Sequence, residues 1–289
     1  MANHQNLIIL GAPRSGTNIF RDVLCRLPGF ATWPCDEINQ LWRIGNARYP
    51  DDAIPVSRLN STVRRRIRSA FRRQAAVRGC DVLVEKTCAN CLRPNYVRAC
   101  FPDAKFIQIV RHPFDTVLST LERRMARRDL RYLLKKARFV PLEELPRTTV
   151  RSLLSRSARG GMRANCQWGP VLPRDVLPTG HTTPSAYAAM QWTECVKRTD
   201  DMLDSLPSEQ VCRIRYEDLA RCPEEVLACV VSHFDHEVAR EHVESAVVEI
   251  HDRSVGRGRE SVDSDAFTVL TQYATEIMCR HGYVGDADD

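Results

Sequence analysis

Apolar positions along the chain follow two alternating rhythms. Leu7, Ile8, Ile9 and Leu10 form a continuous apolar run closed by Gly11, the pattern of a strand buried on both faces. Residues 17–27 then carry Ile19, Phe20, Val23, Leu24 and Leu27 at a helical period, giving strand, glycine-bounded loop, helix. Residues 57–78 form a basic helical stretch with Val63, Ile67 and Phe71 on one side. Residues 81–84 predict a second short strand. Residues 105–110 predict a third, preceded by the turn chemistry of Phe101, Pro102 and Asp103. Pro113 suits the first turn of a helix running to about Arg127. A fourth strand is predicted over 211–216, and helices over 184–205, 223–234, 239–250 and 263–281. Strands alternating with helices predict an α/β fold with a central, mainly parallel sheet covered on both faces, a three-layer α/β/α arrangement.

No repeat or linker divides the 289 residues, so one domain over 1–289 is expected. The stretch 128–183 breaks the alternation, with many arginines, several prolines and a glycine pair. It is expected to be an insertion over the site, a lid or acceptor-binding platform. The basic run over 123–138 fits either a solvated helix face or a contact for an acidic acceptor. Residues 285–289 are expected to fray.

Charge and cysteine content narrow the classes. The net charge of +6 suits an anionic ligand and does not by itself point to nucleic acid. No apolar run approaches a membrane span, and residues 1–6 lack the features of a secretory signal, so a cytoplasmic protein without an integral membrane segment is expected. Twelve cysteines in a chain of this kind are expected as free thiols. Cys88 and Cys91 have CxxC spacing, but no second pair follows at finger-like spacing, so the match is expected to be a coincidence inside another motif. The histidines, His112 and His181 among them, are dispersed, and no metal is expected.

The chemistry concentrates after the predicted strands. Residues 11–18 run Gly-Ala-Pro-Arg-Ser-Gly-Thr-Asn between strand and helix. Glycine allows close approach to phosphate, and backbone N–H groups with a helix N-terminus stabilise an anion. Arg14 can fork onto phosphate or sulfonate oxygens, while Thr17 and Asn18 add donors. Position 17 holds Thr where a Walker loop has Lys, which argues against an ordinary ATPase or kinase. Arg111 falls at the end of the third strand, where open α/β sheets bind ligands, and Ser119 follows eight residues later on a helix. An Arg111–Asp115 pairing is the plainer reading of that segment. Lys86 follows Glu85 at the end of the second strand; a surface position without a role is its plainer reading.

The string from Pro13 to Asn18 resembles the 5′-phosphosulfate loop of sulfotransferases, with Arg14 where many members have Lys. The segment from Arg111 to Ser119 resembles the family's 3′-phosphate motif, in the family's order and approximate separation. Residues 214–219 are similar to its recurring RYEDL string, which puts Tyr216 near an adenine; a core tyrosine is an equal reading. Residues 254–259 resemble the late loop that closes on the nucleotide, with Arg257, Gly258 and Arg259 as contacts or, equally, as flexible surface. Trp168 to Pro170, with Gln191 and Trp192, match more loosely.

The resemblance implies a P-loop-type fold and 3′-phosphoadenosine 5′-phosphosulfate (PAPS) as sulfuryl donor. The acceptor would present a hydroxyl or amine on a glycan, glycolipid or small metabolite. Arg14, Ser15, Gly16, Thr17, Asn18, Arg111 and Ser119 would bind the donor, and Glu85, Lys86 and Thr87 match an EKT segment in which Lys86 is catalytic. Where cytosolic phenol and steroid members carry a histidine base, this chain has Cys88. The matching base is then Glu37, beyond the first helix, as in tyrosylprotein and heparan-type members, with Asp36 adjacent. Asn39 stands where the tyrosylprotein form has Arg, and the connection from Arg14 is about two residues longer. The alternatives are another P-loop nucleotide enzyme, such as a small-molecule kinase, or a non-catalytic nucleotide-binding protein.

Overall fold

The computed structural model describes residues 4–125, 168–177, 182–259 and 261–283. Most of the expected insertion at 128–183 lies outside them, as do the basic run beyond Met125, His181 and residues 285–289.

Five strands form one sheet: β1 (Gln5–Leu10), β2 (Phe30–Thr32), β3 (Val82–Lys86), β4 (Lys105–Val110) and β5 (Val211–Arg215). Their order is β2-β3-β1-β4-β5 and every pairing is parallel. The chain builds leftward from the central β1 and then crosses to its other side with β4. The ends of β1, β3 and β4 therefore meet at the point where the strand order reverses, the usual ligand crevice of such sheets.

The apolar runs work because alternate strand residues enter opposite layers. Ile8, Leu10, Leu83 and Phe106 join one core, packed by α3 (Ser61–Arg78), α4 (Pro94–Cys100) and α6 (Pro184–Leu203). Leu7, Ile9, Val82, Val84, Ile107 and Ile109 join the other, packed by α1 (Thr17–Leu24), α7 (Tyr216–Arg221), α8 (Pro223–His233) and α9 (Arg240–Val247). The remaining helices are α2 (Asn39–Trp42), α5 (Pro113–Met125), α10 (Ser264–Tyr273) and α11 (Thr275–Arg280).

Several ends differ from expectation for local reasons. The basic helix starts at Ser61 because the Asn60 side chain accepts from the Val63 N–H at 2.9 Å, with a separate turn at Val56–Arg58 before it. β5 stops at Arg215, and Tyr216 opens α7 with Glu217 and Asp218 in its first turn. The helix expected over 263–281 is two, broken at buried Ala274 with φ −124° and ψ −3°. The short β2 was not predicted. All eleven cysteines among the described residues are free.

Candidate active site

The loop after β1 turns tightly, with the Ser15 N–H bonded to the Ala12 carbonyl at 3.1 Å, and delivers Gly16 as the N-cap of α1. Gly16 has φ 87°, and a Cβ there would stand 2.2 Å from the Tyr216 ring. Arg14 also adopts a positive φ, 69°, unusual for a residue with a side chain. Ser15 and Thr17 are buried; Arg14 and Asn18 are exposed.

The two predicted anion motifs meet. Arg14 Nε donates to Ser119 Oγ at 3.0 Å, and Arg111 Nη1 donates to the Arg14 carbonyl at 3.1 Å. Arg111 is buried, with its guanidinium 4.6 Å from the Tyr216 ring centroid. Tyr216 is thus wedged between Gly16 and Arg111, its hydroxyl 2.8 Å from Ser254 Oγ. Although part of its side chain stays exposed, partial burial lowers the Arg14 pKa from its ordinary value, with Arg123 and Arg111 adding repulsion, so this corner concentrates positive charge. Arg111 Nε and Ser15 Oγ are buried without a hydrogen-bond partner among the described residues.

Arg111 does contact Asp115, at 3.8 Å, but Asp115 mainly serves the late loop. Its two oxygens accept from the Gly256 N–H at 2.8 Å and the Gly258 N–H at 2.6 Å. Arg111 also donates to the Ser254 carbonyl. Gly258 lies so close to the start of α5 that a Cβ would sit 2.2 Å from the Phe114 carbonyl carbon. The loop is therefore clasped rather than loose. Arg257 reaches Glu122 at 2.8 Å, one turn beyond Ser119 on the same face of α5, and Arg259 is exposed.

Lys86 does not sit on the surface. It is buried at the end of β3 and donates to Glu37 Oε1 at 3.0 Å. The Cys88 N–H approaches the same oxygen at 3.4 Å, and Cys88 Sγ lies 3.8 Å from Thr17 Oγ1, which ties the pair to the start of α1. Burial opposes charge on Lys86, but Cys88 and Glu37 outweigh it and raise its pKa above the ordinary lysine value. Burial drives the Cys88 thiol well above its ordinary value, with Glu37 adding. Glu37 is half-buried, whereas Asp36 lies on the far side against Arg21 at 3.6 Å.

Sequence reasoning missed what holds this pair. Thr87 Oγ1 accepts from the Ile38 N–H at 3.1 Å and donates to Glu85 Oε1 at 2.6 Å. Glu85 is fully buried and also accepts from Trp42 at 3.2 Å and Asn90 at 3.0 Å. Asn90 accepts from Arg93 at 3.0 Å; Arg93 donates to Asn39 and lies 3.5 Å from Asp52. Asp52 in turn binds Arg43 at 2.8 Å and the Val171 N–H at 2.9 Å. The two loosely matching segments also meet. Gln191 donates to the Trp168 and Pro170 carbonyls at 3.0 and 2.6 Å, and Trp192 donates to the Arg111 carbonyl at 2.9 Å. The signal for Thr87 lay in the EKT string, and that for Asp115 in its spacing from Arg111. No group of His, Cys, Asp and Glu among the described residues is arranged to hold a metal ion.

The parallel sheet, with a glycine-bounded loop after β1 and a basic residue closing β4, defines a P-loop-type α/β protein. The profile of the sulfotransferase family matches residues 6–177, more than half of the chain, and the chain belongs to that family. Solved structures agree on the fold. A sulfotransferase domain from the curacin biosynthetic pathway is similar at a TM-score of 0.55 and 16% identity, over 94% of this chain and 98% of that one. The sulfotransferase domain of the Synechococcus PCC 7002 olefin synthase aligns at 0.53 and 15%, over 94% of each. A sulfotransferase from Alicyclobacillus acidocaldarius aligns at 0.50 and 18%, over 96% and 94% respectively. A search of curated proteins gave no match.

Proposed function

We propose that the protein transfers a sulfuryl group from PAPS to a hydroxyl or amine of its acceptor, with Glu37 taking the acceptor's proton. The observation that carries this reading is the Lys86–Glu37 contact of 3.0 Å, set beside the phosphate loop at the reversal point of the sheet. The surroundings fit the donor. Buried Ser15 Oγ and Arg111 Nε, which lack partners among the described residues, suit phosphate oxygens, and the cation corner around Arg14 suits a dianion. Arg14 and the loop N–H groups would hold the 5′-phosphosulfate, and Arg111 with Ser119 the 3′-phosphate. Tyr216 and the residue 254–259 loop would lie toward the nucleoside.

PAPS would supply an activated sulfuryl group; the chain supplies alignment and charge. Glu37 would accept the proton as the acceptor oxygen or nitrogen bonds to sulfur, while the bond from sulfur to the bridging phosphate oxygen breaks. Lys86 and Arg14 would stabilise the charge that collects on that oxygen. Lys86 has two anions to serve, Glu37 and the transferring group; movement toward the second frees the carboxylate for the proton. The acceptor is read, from the resemblance of the EKT segment, as a glycan, glycolipid or small-metabolite hydroxyl.

Two measurements test this. Adenosine 3′,5′-bisphosphate should raise the unfolding temperature without metal, whereas stabilisation by ATP with Mg²⁺ alone would sink the donor assignment. Glu37→Gln and Lys86→Ala should each lower transfer of labelled sulfate from PAPS by about 10²–10³-fold. Unchanged transfer in both would remove the roles given to them.

A further inference from the structure

The positive charge of the chain is not spread over its surface. Residues 53–80 contain eight arginines, no lysine and no acid, against +6 for the whole protein, so the rest of the chain carries a net −2. Most of this segment is α3. Its buried positions Val63, Ile67, Phe71 and Ala75 recur every fourth residue, facing the core. Arg65, Arg73 and Val77 recur on the line directly opposite, and Arg64, Arg68 and Arg72 flank it one residue earlier. Arg58, Arg64, Arg65, Arg66, Arg72, Arg73 and Arg78 are exposed.

This arrangement is unfavourable for the helix itself. Arg64 and Arg72 stand one turn to either side of Arg68, and like charges at that spacing repel. No acid within α3 relieves them. None of the site contacts described above involves α3, so the arginines are not there for the phosphate corner. Val77 adds a second observation: a branched apolar side chain, 76% exposed, on the outermost line of a strongly charged face. Val56, 42% exposed, stands just before the N-terminal end.

From this we infer that α3 docks the protein on an anionic lipid bilayer. Guanidinium groups fork onto headgroup phosphates, and their long stems let flanking arginines reach the same plane as the outward ones. Val77 would enter the headgroup boundary, which a hydrated polyanion does not offer. Docking of this kind needs no membrane-crossing helix, and none of the helices among the described residues is long and apolar enough to cross. The inference is independent of the donor and acceptor readings.

The test is co-sedimentation of the full chain with vesicles at about 0.1 M salt, where charges are screened over about 10 Å. The expected result is binding to phosphatidylglycerol–phosphatidylcholine vesicles, none to phosphatidylcholine alone, and release at about 1 M salt. The triple substitution Arg65→Gln, Arg72→Gln and Arg73→Gln should weaken binding by about 100-fold, at roughly fivefold per arginine. Val77→Ser should weaken it a further fivefold or so. Lys197→Gln, Arg213→Gln and Arg240→Gln, which remove equal charge elsewhere, should have little effect. Far-UV dichroism should show the first triple variant as helical as its parent. Equal losses in both triple variants would reduce the effect to net charge and overturn the proposal. So would binding to a sulfated polysaccharide without binding to the vesicles, or binding that ignores lipid charge.

Discussion

Glu85 and Lys86 are consecutive residues of β3, both buried, and they enter opposite sides of one sheet. On the side of Glu85 every charge is enclosed. Its carboxylate takes three donors, and the path continues through Asn90 and Arg93 to Asp52 and Arg43. On the side of Lys86 the ion pair is half-open, because Glu37 keeps 25% of its side chain exposed. The difference separates a scaffold from the proposed reaction site. A closed network gains nothing from a ligand and loses heavily if one member is removed; a half-open pair tolerates loss but exposes its charge to substrate.

The hardest blow to the closed side should be Arg93→Ala. It leaves Asp52 and Asn90 short of a buried partner, and denaturant unfolding should show a loss of about 3–5 kcal/mol. Lys86→Met should do the reverse. Unfolding stability should move by about 1 kcal/mol or less, because Glu37 can be solvated, while transfer from PAPS falls by about 10²–10³-fold. If Lys86→Met instead unfolds the protein and Arg93→Ala spares it, the comparison is wrong.

A smaller effect comes from pH. Burial raises the Glu85 pKa, so the folded protein holds this proton more readily than the unfolded chain. Below the unfolded value both states are neutral here and nothing is lost. As pH rises from there to the folded value, only the unfolded state ionises and stability declines; above it the full cost is in place. Glu85→Gln carries no such charge, so its stability relative to the parent should rise as pH climbs from the ordinary glutamate range to the raised folded value in parallel unfolding titrations. A flat difference would mean that Glu85 is held as comfortably as a surface carboxylate. The smallest effect is expected at Arg14→Gly, which should stabilise the chain by about 1 kcal/mol by relieving the positive φ while weakening bisphosphate binding in calorimetry.

Much of the open side was legible in the sequence, and little of the closed side was. β4 was predicted at its full observed extent, because an apolar run between turn residues and Pro113 has few other readings. The loop after β1, Arg111 and Lys86 lie at strand ends and Glu37 just before α2, where motif and position coincide, and Ser119 lies about two turns into α5. The structure joins Arg14 to Ser119 and Lys86 to Glu37, while Arg257 pairs with Glu122. The closed network joins residues from 39 to 171, and no local pattern marks a buried charge; Asp52, Glu85 and Arg93 look like surface residues until the fold assembles them. β2 escaped for a related reason, since three residues give too little periodicity.

Arg14 has a consequence for anyone redesigning this protein. The backbone at that position favours glycine, and the proposed role favours arginine, so a selection for stability alone would discard the side chain that the proposed nucleotide site is built around. Libraries screened by thermal tolerance should therefore drift toward well-folded, inactive variants at this residue. Screening for bisphosphate binding alongside heat resistance would keep the two demands together.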